Sequence, residues 1–187
     1  LWGYVRPHAS KLDLLILSVD QLNGLAKIET GKDPSFTGET EDKAFLDTMA
    51  GLQIDWGCKK VAICRKVRDD KGLQRRWSLL TTLDDTYSTY DLPVWHTPRD
   101  DLGGGSAWAA GTIHALHVAP VGTYEEALRR ADLLSALCME TMGDFSAVTR
   151  AQLDKAESEF AGKEAKISSS TTVSISGTKG AFGKAGS

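Results

Sequence analysis

Asp100-Asp101-Leu102-Gly103-Gly104-Gly105-Ser106-Ala107-Trp108-Ala109-Ala110-Gly111 is the stretch on which the reading of this chain turns. Three consecutive glycines pass directly into small and apolar residues, and Ala107, Ala110, Ile113 and Leu116 then recur at helical spacing. The pattern predicts a helix over Ser106–Val118 entered through a glycine turn. Without Cβ atoms such a turn reaches positive φ angles and lets a ligand come close to the backbone. The first helical N–H groups then face an anion along the positive end of the helix dipole. Gly103, Gly104 and Gly105 are therefore candidates for a phosphate or oxyanion cradle. A flexible connector or a tight helix entry would use the same residues, so the flanking sequence has to decide.

Upstream, Lys60-Val61-Ala62-Ile63-Cys64 is a compact β-type run, and Arg76–Thr82 and Tyr87–Trp95 are two more, with Asp84-Asp85 as a turn between them. Pro93 and Pro98 limit how far the last can continue as a central strand. Before these, Ala44, Phe45, Leu46, Met49 and Leu52 give Glu41–Ile54 a helical face, preceded by a loop over Lys32–Glu41. Leu12–Leu17 reads as a short strand or the end of a helix leading into one. Downstream, Thr123–Met139 is a helix opened by a Thr-x-x-Glu capping box at Thr123 and Glu126, and Thr149–Phe160 is a third. From residue 163 onward the composition falls to Ser, Thr, Gly, Ala and Lys. The chain thus divides into a folded part over 1–162 and a flexible Ser/Gly/Lys-rich tail over 163–187. Within that tail Gly177–Ala185 fails the phosphate-loop pattern, which needs a Ser or Thr at 185 and a preceding strand.

Bulk properties narrow the function classes. With 187 residues, 41% of them hydrophobic and 25% charged, the chain can bury a real core, and a net charge of −3 offers no basic face for a nucleic-acid backbone. The longest apolar run, Leu12–Val19, is too short to cross a bilayer, so no membrane partner is expected. Cys58, Cys64 and Cys138 are odd in number and lack C-x-x-C spacing, which suits a reducing compartment such as the cytoplasm. His114 and His117 lie three apart on the predicted helix, but no third ligand accompanies them and no metal site is assigned. Trp77 and Trp108 fall on segments expected to pack.

The glycine turn with its following small-residue helix resembles the C-terminal signature of the ribokinase-like carbohydrate kinases, and the GGG form resembles the 2-keto-3-deoxygluconate kinase group. Val61-Ala62-Ile63, the basic segment after it and Trp77-Ser78 are similar to that group's central strand and hairpin, and Glu140-Thr141-Met142-Gly143-Asp144-Phe145 to its Gly-Asp-Phe segment. The likeness runs over most of residues 1–160. It implies a three-layer α/β/α ribokinase-like sandwich, truncated, and use of ATP and Mg2+ to phosphorylate a sugar acid. The resemblance implies that Lys66 and Arg68, after the central strand, face a nucleotide phosphate, although solvated strand-end charges would use the same residues.

Three departures qualify the implied activity. The family's aspartate after the glycines takes the proton from the attacking sugar hydroxyl, and here that position is Ser106. A serine hydroxyl is no general base at neutral pH, and losing such a base typically costs about 10²–10⁴-fold. Asp100 and Asp101 are conceivable stand-ins, although acids before a glycine turn ordinarily cap it. The family's Asn-x-x-Glu magnesium segment is matched only by Asp20-Gln21-Leu22-Asn23, with acid and amide exchanged. The family's N-terminal part, with most of the sugar site and the lid, has no counterpart, so a partner chain or homo-oligomer is expected to cover the open sheet. The chain reads as the ATP-binding part of an impaired sugar kinase or as a non-catalytic scaffold of that fold.

Overall fold

The computed structural model describes residues 2–31, 42–118, 122–143 and 147–170. The expected loop over 32–41, Asp144-Phe145 and the end of the tail, 171–187, lie outside them. The chain opens with α1 (Trp2–Val5) and a 3-10 turn (Arg6–Lys11), followed by β1 (Leu15–Ser18), α2 (Val19–Thr30) and α3 (Asp42–Trp56). Next come β2 (Lys60–Arg68), β3 (Gln74–Thr82), β4 (Thr86–Ser88) and β5 (Val94–His96). The last part holds α4 (Gly104–Ile113), a π turn (His114–Val118), α5 (Tyr124–Met139) and α6 (Arg150–Ser170), which runs past the Phe160 expected from periodicity.

A hairpin organises the sheet. Asp69 Oδ1 accepts the N–H groups of Lys71 and Leu73 at 2.9 and 2.8 Å, and Gly72 takes φ 81°, so β2 folds back on β3 in a full-length antiparallel register from Lys60↔Thr82 to Arg68↔Gln74. β1 adds to the other side of β2 in parallel, Leu15 opposite Val61 and Ser18 opposite Cys64. The predicted segment Tyr87–Trp95 is not one strand. β4 pairs with Leu79–Thr81 and β5 with Gln74–Arg76 along the same edge of β3, and the stretch between them bulges out opposite Trp77 and Ser78. Thr89 tethers the bulge by donating its N–H to the Ser78 carbonyl and accepting the Ser78 N–H on its hydroxyl, at 3.0 and 2.8 Å. Pro93, which has no N–H to give a ladder, then hands the chain to β5.

Strand alternation divides the core into two sides. Val61, Ile63, Trp77 and Leu79 pack with Leu22 and Ala26 of α2 and Met49, Leu52 and Trp56 of α3. Ala62 and Leu80 face the other way, onto Trp108 of α4 and Leu128 and Ala131 of α5. Helices therefore cover both faces, giving three α/β/α layers. Trp77 and Trp108 are buried, while Trp95 on the edge strand is half exposed. Two capping boxes set the helix starts: Ser18 with Gln21 on α2, and Thr123 with Glu126 on α5 as the sequence predicts.

Candidate functional site

The glycine triplet lies at the end of the sheet where β1 and β2 terminate, and each glycine answers a different requirement. Gly103 is the residue before α4 and sits at φ 74°, a left-handed conformation that costs a side chain about 1–2 kcal/mol. The helix starts at Gly104, earlier than the Ser106 expected from periodicity. A Cβ on Gly104 would stand 2.7 Å from Met139 Cγ, closer still to its sulfur, and 3.5 Å from Arg76 Nη2. Gly104 is thus required by packing against α5 rather than by a ligand. Ser135 on α5 secures the same turn by donating its hydroxyl hydrogen to the Gly104 carbonyl. Gly105 is exposed and a Cβ there would meet nothing within 4 Å. Ser106 is exposed beside it. The open side of the turn therefore carries the backbone of Gly105 and Ser106 at a helix start, where the first N–H groups have no intrahelical acceptor.

The preceding acids are tied into the loop. Asp100 accepts the Leu102 N–H on Oδ1 at 3.0 Å and the Gly143 N–H on Oδ2 at 2.9 Å; these backbone donors, Gly143 first, hold its carboxyl below the usual aspartate range. It caps its own turn and clips it to the loop after α5. The N–H groups of Arg99 and Asp100 reinforce this by bonding the Met139 carbonyl at 2.8 and 3.2 Å. Asp101 pairs with Arg68 at 2.7 Å. Both sequence candidates for a substitute base are thereby engaged elsewhere.

Arg68 and Lys66 lie within β2, not after it. Cys64 and Arg68 point to the α4 side, through Arg76 and Asp101 respectively, so Lys66 between them shares that face; it is exposed and stands opposite Arg76 in the register. Asp20 and Asn23 fall on the first turns of α2, whose N-cap Ser18 ends β1 opposite Cys64 on the neighbouring strand. Among the described residues, no group of three His, Cys, Asp or Glu side chains comes together to hold a metal. Asp13, just before β1, is held below the usual aspartate range first by Lys59, whose Nζ donates to its Oδ1 at 2.6 Å, with His117 a minor contributor.

Sequence reading missed a buried polar layer behind the turn. Asp132 on α5 has no exposure and accepts hydrogen bonds from Ser78 Oγ and, at 2.7 Å, Thr89 Oγ1; Trp108 Nε1 donates to Ser78 Oγ at 2.8 Å. Burial pushes the Asp132 carboxyl up to about 6, against the pull of those hydroxyls and of the Arg129 and Arg76 charges. Arg76, 2% exposed, bonds Cys64 Sγ at 3.1 Å and Met139 Sδ at 2.9 Å. Burial raises the Cys64 thiol to about 12 despite that neighbour, so it stays protonated. His96, opposite Gln74, is 5% exposed with neither ring nitrogen hydrogen-bonded, and burial first, then the charges of Arg76 and Arg68, press it down to about 4. The signal available in sequence was only the alternation of Gln74, Arg76 and Ser78 on one strand face.

A cavity of about 540 Å³ opens beside the loop, lined by Thr97, Arg99, Leu137, Glu140, Thr141, Val148 and Gln152. A neighbouring groove of about 490 Å³ runs between β5 and the helices α5 and α6, with Pro93, Trp95, Leu133, Ala136, Ala156 and Phe160 on its walls.

No protein-family model matches the chain, and no curated protein matches it. Among solved structures, 2-dehydro-3-deoxygluconokinase of Thermotoga maritima superposes with a TM-score of 0.65 at 14% identity, over 81% of this chain and 43% of that one. A structure named as a 2-keto-3-deoxygluconate kinase from Enterococcus faecalis gives 0.65 at 14% identity, over 95% and 46%. Pyridoxal kinase of Staphylococcus aureus in complex with AMP-PCP gives 0.52 at 17%, over 76% and 48%. The chain spans less than half the length of these proteins, and at such identities the likeness establishes the ribokinase-like α/β/α fold.

Proposed function

We propose that the chain is the nucleotide-binding portion of a sugar-kinase-type phosphotransferase, holding the phosphates of ATP at the start of α4. The observation that carries this reading is the division of labour at the turn. Gly103 and Gly104 are consumed by backbone conformation and packing, whereas Gly105 and Ser106 leave an unobstructed helix start. Phosphates docked there would meet N–H donors and the positive end of the α4 dipole. The 540 Å³ cavity adjoining the loop has room for the nucleoside. AMP-PCP in the staphylococcal pyridoxal kinase of the same fold supports a nucleotide ligand.

The residues at the turn fit a phosphate better than a magnesium ion. Asp100 has both oxygens on backbone N–H groups and Asp101 is paired with Arg68, so Mg2+ would arrive with the phosphates and keep its water shell. When bound it would neutralise phosphate charge during transfer to a sugar acid such as 2-keto-3-deoxygluconate. Ser106 stands where the base is needed, so this chain binds nucleotide and transfers phosphate slowly. The experiment is calorimetric titration of ATP with and without Mg2+, beside Ser106→Asp assayed for turnover with 2-keto-3-deoxygluconate. Binding by the native chain and turnover gained in the variant support the reading; absence of binding in both removes it.

A scaffold role is the second reading, and the open edge of β1 favours it. β1 pairs only with β2 among the described strands, and an edge strand presents a row of N–H and C=O groups with which another chain can pair. Exposed Ile113 ends α4 and exposed Val118 ends the π turn after it. Light scattering that finds a stable assembly, together with no ATP binding, would select this alternative.

A further inference from the structure

Arg76 is a buried cation that meets no oxygen acceptor among the described residues. Its five N–H donors find the sulfur atoms of Cys64 and Met139, both weak acceptors, and Nε has no partner. Among the described residues no carboxylate lies within ion-pair distance of it. Asp132 is near enough to feel its charge but already receives Ser78 and Thr89, and Asp101 belongs to Arg68. The other groups around it, His96 and Gln74 on the same sheet face, add no negative charge, and both carry unpartnered buried atoms. A buried charge left this way is destabilising until a counter-charge meets it.

Position gives the charge a use. Arg76 Nη2 reaches to 3.5 Å of where a Gly104 Cβ would be, so the guanidinium lies against the first turn of α4 from the core side. Backbone N–H groups and a fixed cation thus converge on one helix start from two directions. We propose that Arg76 is the buried counter-charge of the phosphate site, a positioning residue that draws a di- or triphosphate onto Gly105 and Ser106 from behind the turn. This rests on the phosphate reading of the turn given above. It goes beyond that reading in making affinity depend on a side chain that no ligand touches directly.

The test uses the whole chain, inorganic pyrophosphate as the probe, and the variants Arg76→Met and Arg76→Lys. Each is followed by thermal unfolding without anion and by calorimetric titration with pyrophosphate. Removing an uncompensated cation should leave the anion-free melting temperature of Arg76→Met unchanged or higher, while pyrophosphate affinity falls about tenfold or more. Arg76→Lys, which keeps the charge, should retain most of the affinity. An Arg76→Met protein that melts lower or fails to fold, or that folds and binds pyrophosphate like the native chain, overturns the proposal and makes Arg76 a packing residue. A native chain that folds yet binds no pyrophosphate overturns the phosphate reading itself, a result distinguishable because it precedes any variant.

Discussion

Substituting alanine at Gly104 and, separately, at Gly105 puts the geometry of the turn to its sharpest test. A methyl on Gly104 enters space held by Met139, whose Cγ is 2.7 Å away and whose side chain is completely buried. Ordinary carbon contacts lie near ~3.5–4.0 Å, so Met139 must move by about 1 Å, and its sulfur then leaves Arg76 Nη2. Overpacking of this kind typically costs about 1–3 kcal/mol. The better helix propensity of alanine returns at most about 1 kcal/mol, and less in a first turn. Gly104→Ala should therefore be destabilised by about 1–2 kcal/mol, a fall of roughly 2–8 °C in melting temperature for a domain of this size. At Gly105 the methyl meets open space, and the same substitution should be neutral or stabilising by about 0.4–1 kcal/mol. Urea unfolding followed by circular dichroism measures both. Nucleotide titration adds the opposite ranking, since a methyl on Gly105 projects from the open side of the cradle. Equal stability of the two variants, or a more stable Gly104→Ala, would refute the assignment of Gly104 to packing.

Acid stability should separate two buried groups. Asp132 has a folded pKa raised to about 6 from 3.8, so its contribution is full below 3.8 and is lost as pH rises through 6; His96 is lowered to about 4 from 6.5, so its contribution is present above 6.5 and lost as pH falls towards 4. The two oppose each other between pH 4 and 6. Asp132→Asn should leave a protein that weakens on acidification, and His96→Gln one that strengthens, relative to the native profile in urea titrations across that window. Trp108→Phe removes the Nε1 donor to Ser78 and opens a small void in the α4–sheet contact, at an expected cost of about 1–3 kcal/mol by the same assay.

The expectations that survive intact are those built on local rules. Thr123 and Glu126 form their capping box because both partners lie within one turn, and the chemistry needs nothing from elsewhere in the fold. Lys60–Cys64 forms a strand, which continues to Arg68, because its apolar run follows a short turn, and Met49 and Leu52 bury together because helical spacing puts them on one face, with Trp56, past the expected end at Ile54, joining them. Boundaries drifted where neighbours intervene: α4 begins two residues early because Ser135 and Met139 on α5 close around Gly104.

From the amino-acid order alone came the layered α/β class and the glycine-led helix, since propensity and periodicity are properties of adjacent positions; that Ser106 stands where an acid is expected is what the resemblance to the ribokinase-like kinases implies. Only the tertiary structure decided which glycine serves packing and which faces solvent, that Tyr87–Trp95 breaks around Thr89, and that Asp100, besides capping its own turn, reaches across to Gly143. It alone set Arg76 behind the turn with sulfur for company. Each of these depends on residues far apart in the chain, Gly104 on Met139, Thr89 on Asp132, Asp100 on Gly143, brought together by sheet register and helix docking. Periodicity carries no record of such cross-chain partners.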